Sequence, residues 1–214
     1  MTPEQYDAWY DTPRGRWIGN AEYGLVRSLL AMQPGDTVLD VGCGTGWFAR
    51  RVAGDGAQVV GLDRDAEALA FAGRHSAGCV SYVHGDATEL PFADAAFDAV
   101  LSVTALCFVD QWPRALAEIV RTSRRRFVLG LLNRHSLLWL GKGRHGGSGA
   151  YQGAHWHTRA EIDNVLRFLP VCNLQYRYGV FLPSGSKVAR ALERSVPSAL
   201  PLGSFVAVAG DIGR

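Results

Sequence analysis

The feature that most constrains this chain is the stretch Val38-Leu39-Asp40-Val41-Gly42-Cys43-Gly44-Thr45-Gly46-Trp47-Phe48. A short apolar run ends in a carboxylate, three glycines follow at alternate positions, and a helix-compatible segment comes next. That order reads as a buried strand feeding a tight turn that opens a helix. Glycine permits positive φ and leaves no Cβ between the backbone and a ligand. Such a turn therefore lets a ligand approach the main chain closely at a helix N-terminus. The dinucleotide fingerprint is G-x-G-x-x-G. Gly42 and Gly44 fit it, but its third position is Trp47 and the extra glycine is Gly46. The pattern is D-x-G-x-G-x-G from Asp40. A turn that binds nothing has no need of so many glycines, because each adds an entropic cost.

On these residues the chain resembles the class I S-adenosylmethionine (SAM)-dependent methyltransferases, most closely the small-molecule "type 11" branch that includes quinone-biosynthesis enzymes. The resemblance implies an α/β fold: a Rossmann-like seven-stranded sheet with helices on both faces and an antiparallel last strand, inserted between the fifth and sixth. It also implies a cofactor site. Asp40 would lie under the methionine part of SAM, with Gly42, Cys43, Gly44 and Gly46 letting the cofactor rest on the backbone. Gln58 to Asp63 reads as the second strand and ends in an acid 23 positions after Asp40. An acid about this far on can bond ribose hydroxyls, and the resemblance gives Asp63 that role, with Arg64 beside it. The alternative is that Asp63 caps the helix opening at Asp65-Ala66-Glu67. Ser81 to Ala87 reads as the third strand and its exit, where Asp86 would accept from the adenine amino group and Ala87 would lie under the ring. Phe97 to Val103 is the fourth strand, and Thr104 follows at the carboxyl end where open α/β sheets bind ligands. Glu89-Leu90-Pro91-Phe92 and the pair Glu118 and Arg121 also match the family. Thr122-Ser123-Arg124-Arg125-Arg126 departs from the family's K-P-G-G and reads as a solvated turn. The match spans nearly the whole chain and is strongest over 37–110.

The flanks are read from pattern. Thr2, Pro3 and Gln5 form a helix start with a capping box, and Tyr6, Trp9 and Tyr10 share one face. Pro13 and Gly15 end that helix, leaving Trp17 and Ile18 beyond the break. A second helix runs from about Asn20 to Met32. The N-terminal segment, about 1–33, is either a lid over cofactor and acceptor or an amphipathic packing helix. After a fifth strand at Phe127 to Leu132 come residues 133–157, assigned to the acceptor side. They hold a glycine-rich loop from Gly141 to Gly153 that is expected to be mobile without ligand. Thr158 and Glu161 make a second capping box. Leu174 to Tyr178 alternates as an edge strand does, and Phe205 to Ala209 is apolar on both faces, as an interior strand is. The whole of 1–214 reads as one domain.

Methyl transfer from a sulfonium needs binding, orientation and exclusion of water more than protein chemistry. A base helps only if the acceptor must lose a proton, and imidazole titrates near neutrality. The catalytic candidates are His157, His145 and Tyr10; the substrate-binding candidates are Tyr6, Trp9, Asn133 and Trp156. His135 and His155 complete the local group of histidines. His155 and His157 lack the i, i+4 spacing of a zinc pair, and no metal is expected.

With 22 basic and 20 acidic residues, the net charge of +2 gives no argument for nucleic acid or a membrane surface. No apolar run reaches the roughly 18–20 residues of a spanning helix, and the acidic N-terminus does not read as a leader. Cys43, Cys79, Cys107 and Cys172 form no C-x-x-C pair and read as small apolar residues of a reducing cytosol, not as ligands or disulfides. The expected partner is thus a small-molecule methyl acceptor, for a cytoplasmic monomer or homodimer. Two other readings compete: a SAM-binding protein without transfer, and a nicotinamide-dependent oxidoreductase.

Overall fold

The structure, a computed structural model, describes residues 2–213. Seven strands form one sheet: β1 Thr37–Val41, β2 Gln58–Asp63, β3 Val80–His84, β4 Phe97–Val103, β5 Ser123–Leu132, β6 Val171–Gly179 and β7 Phe205–Ile212. Their order is β3-β2-β1-β4-β5-β7-β6. β1 to β5 run parallel, and β7 lies antiparallel between β5 and β6. This is the sheet expected from the sequence. Strand order reverses between β1 and β4, and there the carboxyl ends diverge and leave a crevice.

Seven α-helices pack around the sheet: α1 Pro3–Trp9, α2 Pro13–Leu30, α3 Trp47–Gly54, α4 Ala66–His75, α5 Trp112–Thr122, α6 Arg159–Leu166 and α7 Lys187–Ser195. Two apolar clusters lie on opposite faces of the sheet. Leu116, Ile119, Phe127, Leu129 and Ile162 belong to one. Val26, Leu29, Val38, Val128 and Phe205 belong to the other, under α2 and α3.

Several boundaries differ from the sequence reading. The capping boxes at Thr2 and Thr158 are present. Pro13, however, starts α2 rather than ending α1: Thr12 caps the helix through Gly15 N, and proline sits at a first-turn position where no N–H is needed. Trp17 and Ile18 are therefore helical, and α2 stops at Leu30 because Ala31 turns left-handed, at φ 47°. β5 begins at Ser123, so Arg124, Arg125 and Arg126 are strand residues, not a solvated turn. They pair with Asp98, Asp36 and Asp211, and those ion pairs let a basic run begin an interior strand. Glu118 and Arg121 bond each other, while Arg121 also reaches the carbonyls of Leu90 and Phe92. That pair is a brace for the segment before β4. The glycine-rich loop folds into short helical turns at Trp139–Gly143, Arg144–Gly146 and Gly149–Tyr151. All four cysteines are free; Cys107 is buried and Cys79 and Cys172 are exposed, so only some behave as small apolar residues.

Candidate functional site

A cleft of about 460 Å³ opens over the carboxyl ends of β1 to β4. That lies within the range of small-molecule sites. Asp40, Gly42, Cys43, Gly44, Asp63, Arg64, Asp86, Ala87 and Thr104 all line it, as do Tyr6 and Tyr10 of α1. Gly46 does not.

The glycine turn is built from the β2 side. Gly42 N and Cys43 N both donate to Leu62 O, at 2.7 and 3.0 Å, which folds the turn back onto the neighbouring strand. Gly44 N donates to Asp63 Oδ2 at 2.7 Å, and Asp65 N donates to Asp63 Oδ1 at 2.9 Å. Helix capping falls to Asp65, which accepts from Glu67 N and Ala68 N. Asp63 is thus a clamp on the turn and lines the cleft, and the capping alternative does not apply to it.

The three glycines have different reasons. A Cβ at Gly42 would sit 2.2 Å from Ala105 Cβ, and one at Gly46 would sit 2.3 Å from the Tyr82 hydroxyl. Those two positions let protein pack on protein. At Gly44, where φ is +53°, a Cβ would meet nothing within 4 Å. Among the three, Gly44 is the one whose missing side chain leaves room in the cleft itself.

Electrostatics separate the acids. Asp40 is 2% exposed, and its Oδ2 has no hydrogen-bond partner. Burial, and then the charge of Asp63, push its carboxyl up to about 7. It is a buried acceptor waiting for a donor. Asp86 is held below the usual carboxylate range by the backbone N–H and hydroxyl of Thr88, at 2.7 and 2.8 Å. Thr104 sits at φ 59°, an uncommon conformation for a residue other than glycine, held by its N–H to Gly130 O at 2.7 Å.

α1 closes one wall. Tyr10 stacks on Trp47 with centroids 4.2 Å apart, and the Tyr6 and Tyr10 hydroxyls are 3.4 Å apart. Trp47, which replaces the third glycine of the dinucleotide fingerprint, is thus the platform for α1. Trp9 packs edge-on to Tyr10 and lies outside the cleft lining. Arg50 of α3 ties the two together, donating to Thr45 O and to Asp7 of α1, the latter at 2.9 Å.

The acceptor-side residues fall elsewhere. His157, 0% exposed, pairs with Asn133 beside β5 and packs against Trp112 and His155. Neither ring nitrogen has a partner, and burial lowers its pKa to about 3, so it is neutral. Asn133 is buried and donates to Pro201 O and Gly203 O, at 3.1 and 2.8 Å. Trp156 is buried against Tyr151, and His145 is exposed on a turn. None of these four lines the cleft. Continuing the β5 ladder through Asn133 and His157 turns both into the core. Residues that sequence reasoning missed are Trp47, Thr88 and the run Phe108 to Gln111. Phe108, half exposed at the rim, ends the short 3-10 turn Ala105–Phe108 that follows β4, and a place just beyond a strand's carboxyl end was the available signal. A second hollow, of about 490 Å³ and almost wholly apolar, lies between residues 134–140 and α7. Among the described residues no helix is long and apolar enough to cross a membrane.

Comparison with known proteins agrees with this geometry. A family model described as a methyltransferase domain matches residues 39–126. A malonyl-[acyl-carrier protein] O-methyltransferase of Pectobacterium atrosepticum is 43% identical over 99 residues, covering 45% of this chain and 39% of that protein. An uncharacterised protein of Mycobacterium tuberculosis is 36% identical over 173 residues, 75% of this chain and 55% of its own length. Among solved structures, a Thermotoga maritima SAM-dependent methyltransferase, described as a possible histamine N-methyltransferase, superposes with a TM-score of 0.80 at 24% identity. That match covers 98% of this chain and 95% of the other. The chain spans about two fifths of the length of the first curated relatives it matches, 39% and 38%.

Proposed function

We propose that the chain, whose residues 39–126 match a methyltransferase-domain model, is a class I SAM-dependent methyltransferase of the type 11 branch and transfers a methyl group from SAM to a small-molecule acceptor by in-line displacement. The observation that carries the proposal is the cleft, where the glycine turn meets acids from the ends of β1, β2 and β3. When bound, SAM supplies an electrophilic methyl group on a sulfonium.

The residues present fit that cofactor. Asp40, buried and short of a donor, would take the amino group of the methionine part. Asp63 would bond the ribose while holding Gly44 N, and Asp86, kept ionised by Thr88, would accept from the adenine amino group beside Ala87. Gly44 would let the cofactor lie against the backbone, and Arg64 and Thr104 would border it. Tyr6 and Tyr10 would exclude water above the reacting atoms, with residues of about 1–33 as the lid and 133–157 as the acceptor side of a single domain. Such closure would orient acceptor and cofactor, which accounts for much of the catalysis a transferase needs. A cytoplasmic monomer or homodimer is the setting that goes with this reading.

Calorimetric titration with S-adenosylhomocysteine (SAH) tests the cofactor, with NAD(H) as the competing ligand. Transfer of labelled methyl from SAM to a candidate metabolite tests turnover. Affinity for NAD(H) without affinity for SAH overturns the reading. Tight SAH binding with no transfer to any acceptor would leave a SAM-binding protein.

A further inference from the structure

The second hollow, of about 490 Å³, has no part in the cofactor reading. Its walls gather at one edge of the sheet. Residues 134–140 leave the carboxyl end of β5, Phe181 and Leu182 follow β6, and Leu200 and Leu202 precede β7, which runs antiparallel to both. The cleft opens over the same edge, at the ends of β1 to β4. Leu137, Leu140, Leu192, Leu200 and Leu202 line the hollow, yet each remains 39–57% exposed. On α7, Ala189 is buried, and Glu193, one turn on, accepts from Val180 N and Phe181 N at 2.6 and 3.0 Å. That face holds the helix to the end of β6. Val188 and Leu192, also one turn apart, stay exposed. An apolar surface of this extent marks an interaction site.

The surrounding charge selects the occupant. Residues 134–145 and 181–202 contain Arg134, Lys142, Arg144, Lys187, Arg190 and Arg194 against Glu193 alone, so the rest of the chain is net acidic. The small net charge of the whole hides this local excess. Glu193 is spent on backbone N–H groups, and Arg190 turns inward to Gly185 O and Pro13 O. The other five cations are exposed. Arg134 and Arg144 hold their guanidinium groups 5.6 and 5.4 Å from the ring centroid of Trp139, which also lines the hollow. Leucine and tryptophan flanked by basic side chains suit the boundary between lipid headgroups and acyl chains. A second copy of the chain fits poorly, because two-fold pairing sets the same basic patch against itself. A small molecule inside the hollow leaves Val188 and the rim leucines in water, whereas an extended surface covers them together.

We propose that this face is a peripheral docking surface for an anionic lipid bilayer. The leucines and Trp139 enter the headgroup boundary, and the five exposed cations meet the acidic headgroups. Docking holds the mouth of the cleft beside the lipid. The contact does not depend on what the cleft binds, so it stands or falls apart from the methyltransferase reading.

The test is sedimentation of the full chain with sucrose-loaded vesicles, either phosphatidylcholine alone or with about one-third phosphatidylglycerol. Partitioning onto the anionic vesicles should be at least roughly tenfold stronger, and raising the salt should weaken it. Leu137→Glu combined with Leu202→Glu should lower it by about tenfold or more. Lys142→Gln combined with Arg194→Gln should lower it by roughly tenfold on anionic vesicles and leave the neutral ones unaffected. All four side chains are exposed, so circular dichroism should match the wild type. If one pair misfolds, the other pair and the wild-type lipid preference decide. Equal partitioning onto both vesicles, partitioning onto neither, or full binding by a folded variant of either pair overturns the proposal. So does a dimer in ultracentrifugation that the leucine pair dissolves, which assigns the face to a second copy.

Discussion

The carboxyl edge of the sheet has two halves that were assembled by different rules. Over β1, β2 and β3, the acids that line the cleft lie at or just past a strand end, and the bonds that fix the site are made to nearby turns: Gly44 with Asp63, Asp63 with Asp65, Asp86 with Thr88. Over β5, β6 and β7, Asn133 reaches Pro201 and Gly203, His157 sits against Trp112, and Tyr151 packs on Trp156. The first half is organised by local backbone geometry, the second by contacts between segments far apart in sequence. A ligand site of the first kind can be moved by changing one turn, whereas one of the second kind responds to packing throughout the domain.

The sharpest way to break this contrast is Gly44→Val. A branched side chain would project into the cleft rather than into protein, so SAH binding should be abolished in calorimetry while circular dichroism still reports the fold. Normal affinity in a folded variant would mean that the turn is not the cofactor wall. Next in size is Asp63→Ala, which removes the clamp on Gly44 together with any bond to ribose. Hydrogen bonds involving a charged group are worth about 1.5–3 kcal/mol, so SAH affinity should fall by roughly 10- to 150-fold. An unchanged dissociation constant would remove Asp63 from the site.

On the other half, His157 is predicted to govern acid stability rather than catalysis. Its folded pKa of about 3 lies below the ordinary 6.5, so between those values the unfolded chain binds a proton that the folded one refuses. Stability from this group is present above pH 6.5 and is lost as pH falls toward 3, at up to about 1.4 kcal/mol per pH unit. Asp40 works in the opposite sense: its raised pKa gives stability below 3.8 that is lost as pH rises through about 7. Chemical denaturation of His157→Leu and wild type across pH 4 to 7 should therefore give curves whose difference widens toward acid, in the variant's favour. Parallel curves would mean that His157 titrates normally.

The smallest expected effect joins the halves. Arg50→Ala cuts the tie between α3 and Asp7 of α1, a partly exposed ion pair worth about 1 kcal/mol or less. Hydrogen exchange over residues 3–10 should quicken severalfold without SAH and recover on adding it. An unchanged rate would mean that stacking of Tyr10 on Trp47 holds α1 alone.

How much was legible follows the same division. The order of strands and the acids Asp40, Asp63 and Asp86 could be read because each is marked by a nearby turn or spacing. Pro13 misled because proline both ends and begins helices, and only the Thr12 cap chose between them. The arginines after α5 misled because a basic run in a strand needs Asp36, Asp98 and Asp211, which come from three other places in the chain. The histidines of 133–157 were plausible bases by chemistry, but bridging to Asn133 buries His157.

The placement of β7 has a consequence for how the molecule is made. β7 pairs with β5 over Arg126 to Leu132 on one side and with β6 on the other. During synthesis β1 to β5 can pair as they appear, yet the far side of β5 stays open until residues 205–212 have left the ribosome. For the time needed to translate the roughly 70 residues between them, a few seconds to about a quarter of a minute at ordinary elongation rates, Val128 to Leu132 present an apolar, unpaired edge. That interval is when the nascent chain is most exposed to wrong strand partners. A stalled or truncated chain lacking β7 would be trapped there, so the β5–β7 half of the sheet is the molecule's vulnerable half at birth.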